Sequence, residues 1–281
     1  MEAEFEALPY DIVSLVCAYA LEGVPADLFG KMAWANDIWA VRWLAREYPI
    51  AVIASRASSG SYMLRKACES GHLALAQWIS VAFGLTPTDV REIGNYTLQL
   101  TCAFGHLHVA KWLTAAFGLT TEDARTGNSS ALRMACENGH LETAKWLTAT
   151  FGLTSEDARA DDNEALSNAC ADGHLATAQW LAAAFNLTAA DARSADNCAL
   201  HLACANGHLE VAQWLTSTFG LTKEDARAGE NYALREAREN GHPLVVEWLW
   251  TEFGIEENEL EESELEESEP DESETGASAQ S

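Results

Sequence analysis

Ala199-Leu-His-Leu-Ala-Cys-Ala-Asn-Gly207-His208-Leu-Glu-Val-Ala-Gln-Trp-Leu215 is the stretch whose reading decides the fold. Its Gly-His pair returns at residues 71, 105, 139, 173, 207 and 241, always 34 residues apart. A fixed period of this length marks a stack of similar supersecondary units, each burying its apolar face against the next. Residues that repeat therefore report mainly on stacking. Functional leads are expected where the copies differ.

One unit, residues 163–196, shows the local logic. Asn163 is placed to cap a short helix whose apolar residues Ala165, Leu166, Ala169 and Cys170 fall at helical spacing. Gly173 ends it, since glycine readily takes the left-handed conformation that closes a helix. A second helix follows His174, with Leu175, Ala178, Leu181 and Phe185 on one stripe, widened by Trp180 and Ala182. Between units, Thr154-Ser-Glu-Asp157-Ala-Arg and Thr222-Lys-Glu-Asp225-Ala-Arg put a Thr three residues before an acid. That is a capping-box pattern with Asp in the acidic place, and it predicts a short helical turn rather than a β-hairpin.

The tetratricopeptide repeat has the same period, but its two helices are of similar length, and here the first is short. The phrase from Ala199 to Val211 resembles the ankyrin signature, a Leu-His-x-Ala-Ala helix before Gly-His-x-x-Val-Val, over roughly residues 28–255. Three features depart from it. The usual Thr-Pro start is replaced, the period is one residue longer, and the finger reads as helical. In these respects the chain resembles the variant arrays of giant viruses and protists. The expected fold is all-α: an ankyrin-type helical-repeat solenoid of about seven repeats, the first and last degenerate, with short helical fingers. A disordered acidic C-terminal tail follows over residues 256–281.

The bulk numbers narrow the function. The chain has 281 residues, 48% of them hydrophobic, and a formal charge of −26. Twelve acidic and no basic residues lie between Glu256 and Ser281, too charged a run to fold alone. Without a basic footprint to neutralise phosphates, neither nucleic acid nor an anionic membrane is an expected partner. Cysteines recur at 68, 102, 136, 170 and 204. Stacked repeats lie about 10 Å apart, too far for equivalent thiols to pair, so reduced buried cysteines and an intracellular setting (cytoplasm or nucleus, host cytoplasm if viral) are expected. The start of the chain lacks a signal-peptide pattern, and no apolar run is long enough to span a bilayer.

Two repeated patterns invite chemistry and have plainer readings. Cys136-Glu-Asn-Gly-His140 offers two ligands where zinc needs four convergent ones, so no metal or other cofactor is expected. Trp43, Trp78, Trp112, Trp146, Trp180, Trp214 and Trp248 form a column, read as a buried interhelix core. Acid pairs such as Glu156-Asp157 recur in three fingers, which argues against catalytic use. No phosphate loop or nucleophile motif is present, and the protein is expected to be non-enzymatic.

Residues 1–27 read as a helical cap or a degenerate F-box. The segment from Leu8 to Leu28 resembles the start of that adaptor-docking module, which implies Leu8, Pro9, Ile12, Leu15 and Val16 as contacts for a ubiquitin-ligase adaptor. The ankyrin resemblance implies a monomeric scaffold that binds a protein partner on its concave face, made by the fingers and the exposed side of the first helices. Candidate contacts on that face, chosen where the copies differ, are Tyr62, Tyr96, Phe104, Asn138, Asp172, His201 and Tyr232. Tyr62, Tyr96 and Phe104, from adjacent units, are expected to form one aromatic patch.

Overall fold

The structure is a computed structural model that describes residues 58–255. The F-box-like segment with Leu8, Pro9, Ile12, Leu15 and Val16, the worn first repeat with Trp43, and the acidic tail lie outside the described residues. Among the described residues all regular structure is α-helical. They divide into two compact units, one ending at Asp161 and one beginning at Asp162.

The first unit runs α1 (Ser58–Glu69), α2 (Leu73–Ala82), α3 (Pro87–Ala103), α4 (Leu107–Phe117), α5 (Thr121–Glu137), α6 (Leu141–Phe151) and α7 (Ser155–Ala158). Helix α8 (Ala160–Ala171) begins at the division. The second unit continues with α9 (Leu175–Ala184), α10 (Ala189–Ala192), α11 (Ser194–Ala205), α12 (Leu209–Phe219), α13 (Lys223–Glu239) and α14 (Pro243–Phe253).

The fingers are helical because Thr and Asp close on each other. Thr86/Asp89, Thr120/Asp123, Thr154/Asp157, Thr188/Asp191 and Thr222/Asp225 all form capping boxes. The Thr120 amide donates to Asp123 Oδ2 at 2.8 Å, satisfying a donor that a helix start would leave free. Asp is one carbon shorter than Glu, yet it reaches.

The link from finger to first helix differs from the sequence expectation. Asn163 does not take the extended backbone of a capping residue. Asp161, Asp162 and Asn163 have φ of 50°, 55° and 64°, three successive left-handed residues. Gly127-Asn128-Ser129, Ala195-Asp196-Asn197 and Gly229-Glu230-Asn231 do the same, which is why α5, α11 and α13 are each two helical pieces across a kink. Left-handed backbone costs about 1–2 kcal/mol per residue with a β-carbon, least where Asn, Asp or Gly supplies it. The third residue of each turn is buried, so tertiary packing holds the strained form.

The second helix anchors the core. Ile79, Leu113, Leu147, Leu181, Leu215 and Leu249 are fully buried. The tryptophan preceding each is not: Trp112, Trp146, Trp180, Trp214 and Trp248 are half-buried, which corrects the expectation of a buried column. Each lies edge-to-face on the Phe five residues later, with centroids 5.8 Å apart for Trp146 and Phe151. A residue beside the inward-facing Leu sits about 100° round the helix, at the margin of the apolar stripe. There the indole shields the Phe without entering the core.

The cysteines behave as expected. Cys68, Cys102, Cys136, Cys170 and Cys204 are buried and free, and burial pushes their thiols up, that of Cys204 to about 12. Arg238, at the register of Cys204, is exposed.

The Gly-His turn does more than close a helix. Gly71, Gly173 and Gly207 have φ of 74°, 74° and 80°, a region that disfavours side chains. The histidine ring of the following repeat also packs against the glycine. A β-carbon on Gly71 would come within 2.7 Å of the His106 ring, and one on Gly173 or Gly207 within 2.5 Å of His208 or His242. Gly and His are partners across neighbouring repeats.

Candidate functional site

Two networks tie neighbouring repeats together at their surface. The first joins fingers. The Arg91 guanidinium donates from Nε to Asp123 Oδ1 at 2.7 Å and from Nη2 to Oδ2 at 3.0 Å and to the Gly118 carbonyl at 3.1 Å. Arg125 grips Asp157 in the same two-pronged way, and in the second unit Arg193 grips Asp225. Each aspartate thus caps its own finger and holds the arginine of the preceding one. Burial alone would raise the Asp123 carboxyl; hydrogen bonds from Arg91 and then from Thr120 outweigh it and hold the group down to about 2. Asp157 is lowered by the same balance. At Asp225 the Arg193 hydrogen bond is the largest influence, and the carboxyl is again lowered.

The second network is the histidine row. Desolvation lowers the His106 pKa, opposed by its hydrogen bond to the Glu69 carbonyl and assisted by the neighbouring His108, His140 and His72. His108 Nε2 lies 3.1 Å from the Gly71 carbonyl oxygen.

Of the expected contact residues in the first unit, Tyr96 and Phe104 are 38% and 50% exposed, and Tyr62 is half-buried. Tyr62 and Tyr96 flank one guanidinium, and Phe104 stands apart from Tyr96. Tyr96 opens the first-helix piece of α3, and Phe104 caps its end eight residues later, about 12 Å along the helix at 1.5 Å per residue. Phe104 stacks on His106 instead, centroids 6.4 Å apart at 17°. Asn138 is exposed, with its amide donating to the Met134 carbonyl of its own helix at 2.9 Å.

In the second unit Asp172 is exposed and Tyr232 half-buried. His201 is only 6% exposed, its Nε2 3.4 Å from the Asp225 carbonyl oxygen and its ring tilted against Tyr232 at 5.7 Å. It supports Tyr232 rather than facing solvent, because the finger of the next repeat covers it.

Sequence reasoning passed over the arginines beside these rings. Arg65 Cζ lies 5.2 Å from the Tyr62 ring centroid and 5.7 Å from that of Tyr96, so one guanidinium bridges two adjacent repeats. Arg235 stands over Tyr232 at 5.9 Å. The signal was present: Tyr62/Arg65 and Tyr232/Arg235 share the i, i+3 spacing that puts side chains on one helix face, at the same register of the repeat.

No group of three or more His, Cys, Asp or Glu side chains among the described residues is arranged to hold a metal ion, and none of the helices there is long and apolar enough to cross a membrane. A family model described as "Ankyrin repeats (3 copies)" matches residues 64–157 and again 151–225. No curated protein matches the chain.

Proposed function

The chain belongs to the ankyrin-repeat family, and from that premise we propose that it is a non-enzymatic scaffold that captures a protein partner on the face made by its fingers and the exposed side of its first helices. Repeats of this family are generally protein–protein interaction modules. The observation that carries the reading is variation on a constant frame. The register that reads Tyr62, Tyr96, Ser130, Glu164, Cys198 and Tyr232 changes from copy to copy, while Leu64, Leu98, Leu132, Leu166, Leu200 and Leu234, two residues on in each copy, stay buried. A surface of this kind is preformed, so binding orders little of the scaffold and the cost of association is correspondingly low.

Phe104 and Tyr232 are the proposed anchors, one in each unit. Phe104 is a large apolar side chain, half exposed, where the other copies have Ser70, Asn138, Asp172, Asn206 and Asn240. Asn206 and Asn240 use their amides to donate to the Ala171 and Ala205 carbonyls of the preceding repeat at 2.7 and 2.9 Å. Phe104 gives up that bond and leaves an aromatic surface of the sort that concentrates binding energy. The test is affinity purification of the full chain with mass spectrometry, followed by titration of the recovered partner. Phe104→Ala or Tyr232→Ala should weaken it at least about tenfold. Unchanged affinity in both variants, with unchanged melting midpoints, sinks the reading.

A further inference from the structure

We infer that the first unit recognises an acidic peptide segment of its partner through Arg65, held between the rings of Tyr62 and Tyr96; this rests on the scaffold reading above and names the chemistry of what the scaffold takes.

Three other arginines of the first unit are engaged by carboxylates: Arg91 by Asp123, Arg125 by Asp157, and Arg133 by Asp161. Lys66, next to Arg65, pairs with Glu69 at 2.7 Å. Among the described residues Arg65 has contacts with aromatic faces alone. A guanidinium over a ring is attracted through its flat face, while its five N–H donors lie in its plane and point outward. The two rings therefore fix the position of the group and leave its hydrogen-bonding edge unspent. That edge matches a carboxylate, which can accept two parallel bonds from it.

The surroundings favour a carboxylate carried on a peptide. The first-helix register through this unit reads Tyr62, Arg65, Tyr96, Gln99, Ser130 and Arg133, with no acid among them. The chain as a whole carries −26, whereas this register carries two arginines and no acid. Gln99 is already committed, donating to the Gly94 carbonyl at 2.8 Å, and Arg133 is held by Asp161. Arg65 is thus the group positioned to receive an anion, with the exposed Tyr96 beside it to cover the apolar part of a glutamate side chain. Because Tyr62 and Tyr96 come from successive repeats, the arginine is held only when those repeats are stacked.

The probe is a fluorescein-labelled hexaglutamate peptide titrated into the full chain, followed by anisotropy and by the Arg65 Nε–Hε resonance. Saturable binding that shifts this resonance, and that weakens at least about tenfold in Arg65→Ala, is the expected result. Arg65→Lys keeps the charge and loses the planar fork, and should weaken binding by several-fold while folding unchanged. Equal binding by wild-type and both variants overturns the proposal. So does an equal shift from inorganic phosphate at the same concentration, which would make the site a general anion site. A full-length variant with the acids from Glu256 to Glu274 converted to amides tests the protein's own tail. If that variant alone binds the peptide, the tail is the occupant and the assignment to a partner fails. Loss of a purified partner in Tyr232→Ala while hexaglutamate ignores Arg65 would remove this inference alone; loss in neither Phe104→Ala nor Tyr232→Ala would remove the scaffold reading beneath it.

Discussion

The two units share a frame and differ in what they present. Both bury leucine at the same register, cap fingers with Thr and Asp, and seat histidine rings on glycines of the preceding repeat. Over residues 58–161 there are ten acidic and eight basic side chains, and over residues 162–255 thirteen and five. The first unit clamps Arg65 between two tyrosines and exposes Phe104, whereas the second backs Tyr232 with a buried His201 and gives Arg235 one ring. Repetition is thus a requirement of stacking, and individuality is confined to positions that stacking leaves free.

That comparison can be broken most forcefully at the core. Leu113→Ala in the first unit and Leu215→Ala in the second should each destabilise by about 2–5 kcal/mol in denaturant unfolding, since both side chains are fully buried. A large disparity would show that the frames are not equivalent. Trp146→Ala should cost less, about 2 kcal/mol, because the indole is half-buried and mainly shields Phe151. A loss exceeding that of Leu147→Ala would restore the tryptophans to the core.

Smaller effects are expected at the turns. Gly71→Ala and Gly207→Ala should each cost about 1–3 kcal/mol, from positive φ and from the histidine ring that the new methyl would meet. Substitutions that left the melting midpoint unchanged would mean the ring moves aside freely. Trimming the histidine as well, in Gly71→Ala/His106→Ala, should recover the steric part and leave the backbone part.

The finger ladder predicts a pH dependence. The Asp123 carboxyl sits near 2 in the folded chain against an ordinary 3.8. Its stabilisation is complete above about pH 4 and is lost as pH falls from there towards 2, because the unfolded chain takes up the proton first. Asp123→Asn should flatten the stability profile across that window, and a profile as steep as that of the wild type would remove Asp123 as its source. His106, lowered from 6.5 chiefly by desolvation, acts in the same sense at higher pH: its neutral form is preferred in the fold, so stability falls as pH drops below about 6.5. His106→Gln should lessen that shallower slope.

Much of the frame was legible because it rests on contacts within one turn of helix. Thr-x-x-Asp caps, apolar stripes and glycine helix stops join residues three to five apart, and their chemistry is visible along the chain. The half-burial of the tryptophans is not legible in the sequence, because a column of large apolar residues looks alike whether it lies in the stripe or at its margin. The left-handed turn was missed since Asn163 suits a helix cap as well as it suits positive φ. The burial of His201 is not legible along the chain, because the group that meets it, the Asp225 carbonyl, arrives from the next repeat.

By itself the sequence determined the period, the helical content and the capped fingers, all of which follow from local spacing and composition. Tertiary structure alone decided that Arg91 meets Asp123, that His106 rests on Gly71, and that Arg65 lies between Tyr62 and Tyr96. The reason is geometric. These partners stand about one repeat apart in the chain or reach across to the next repeat, and they come together only once stacking has set the distance and rotation between neighbours.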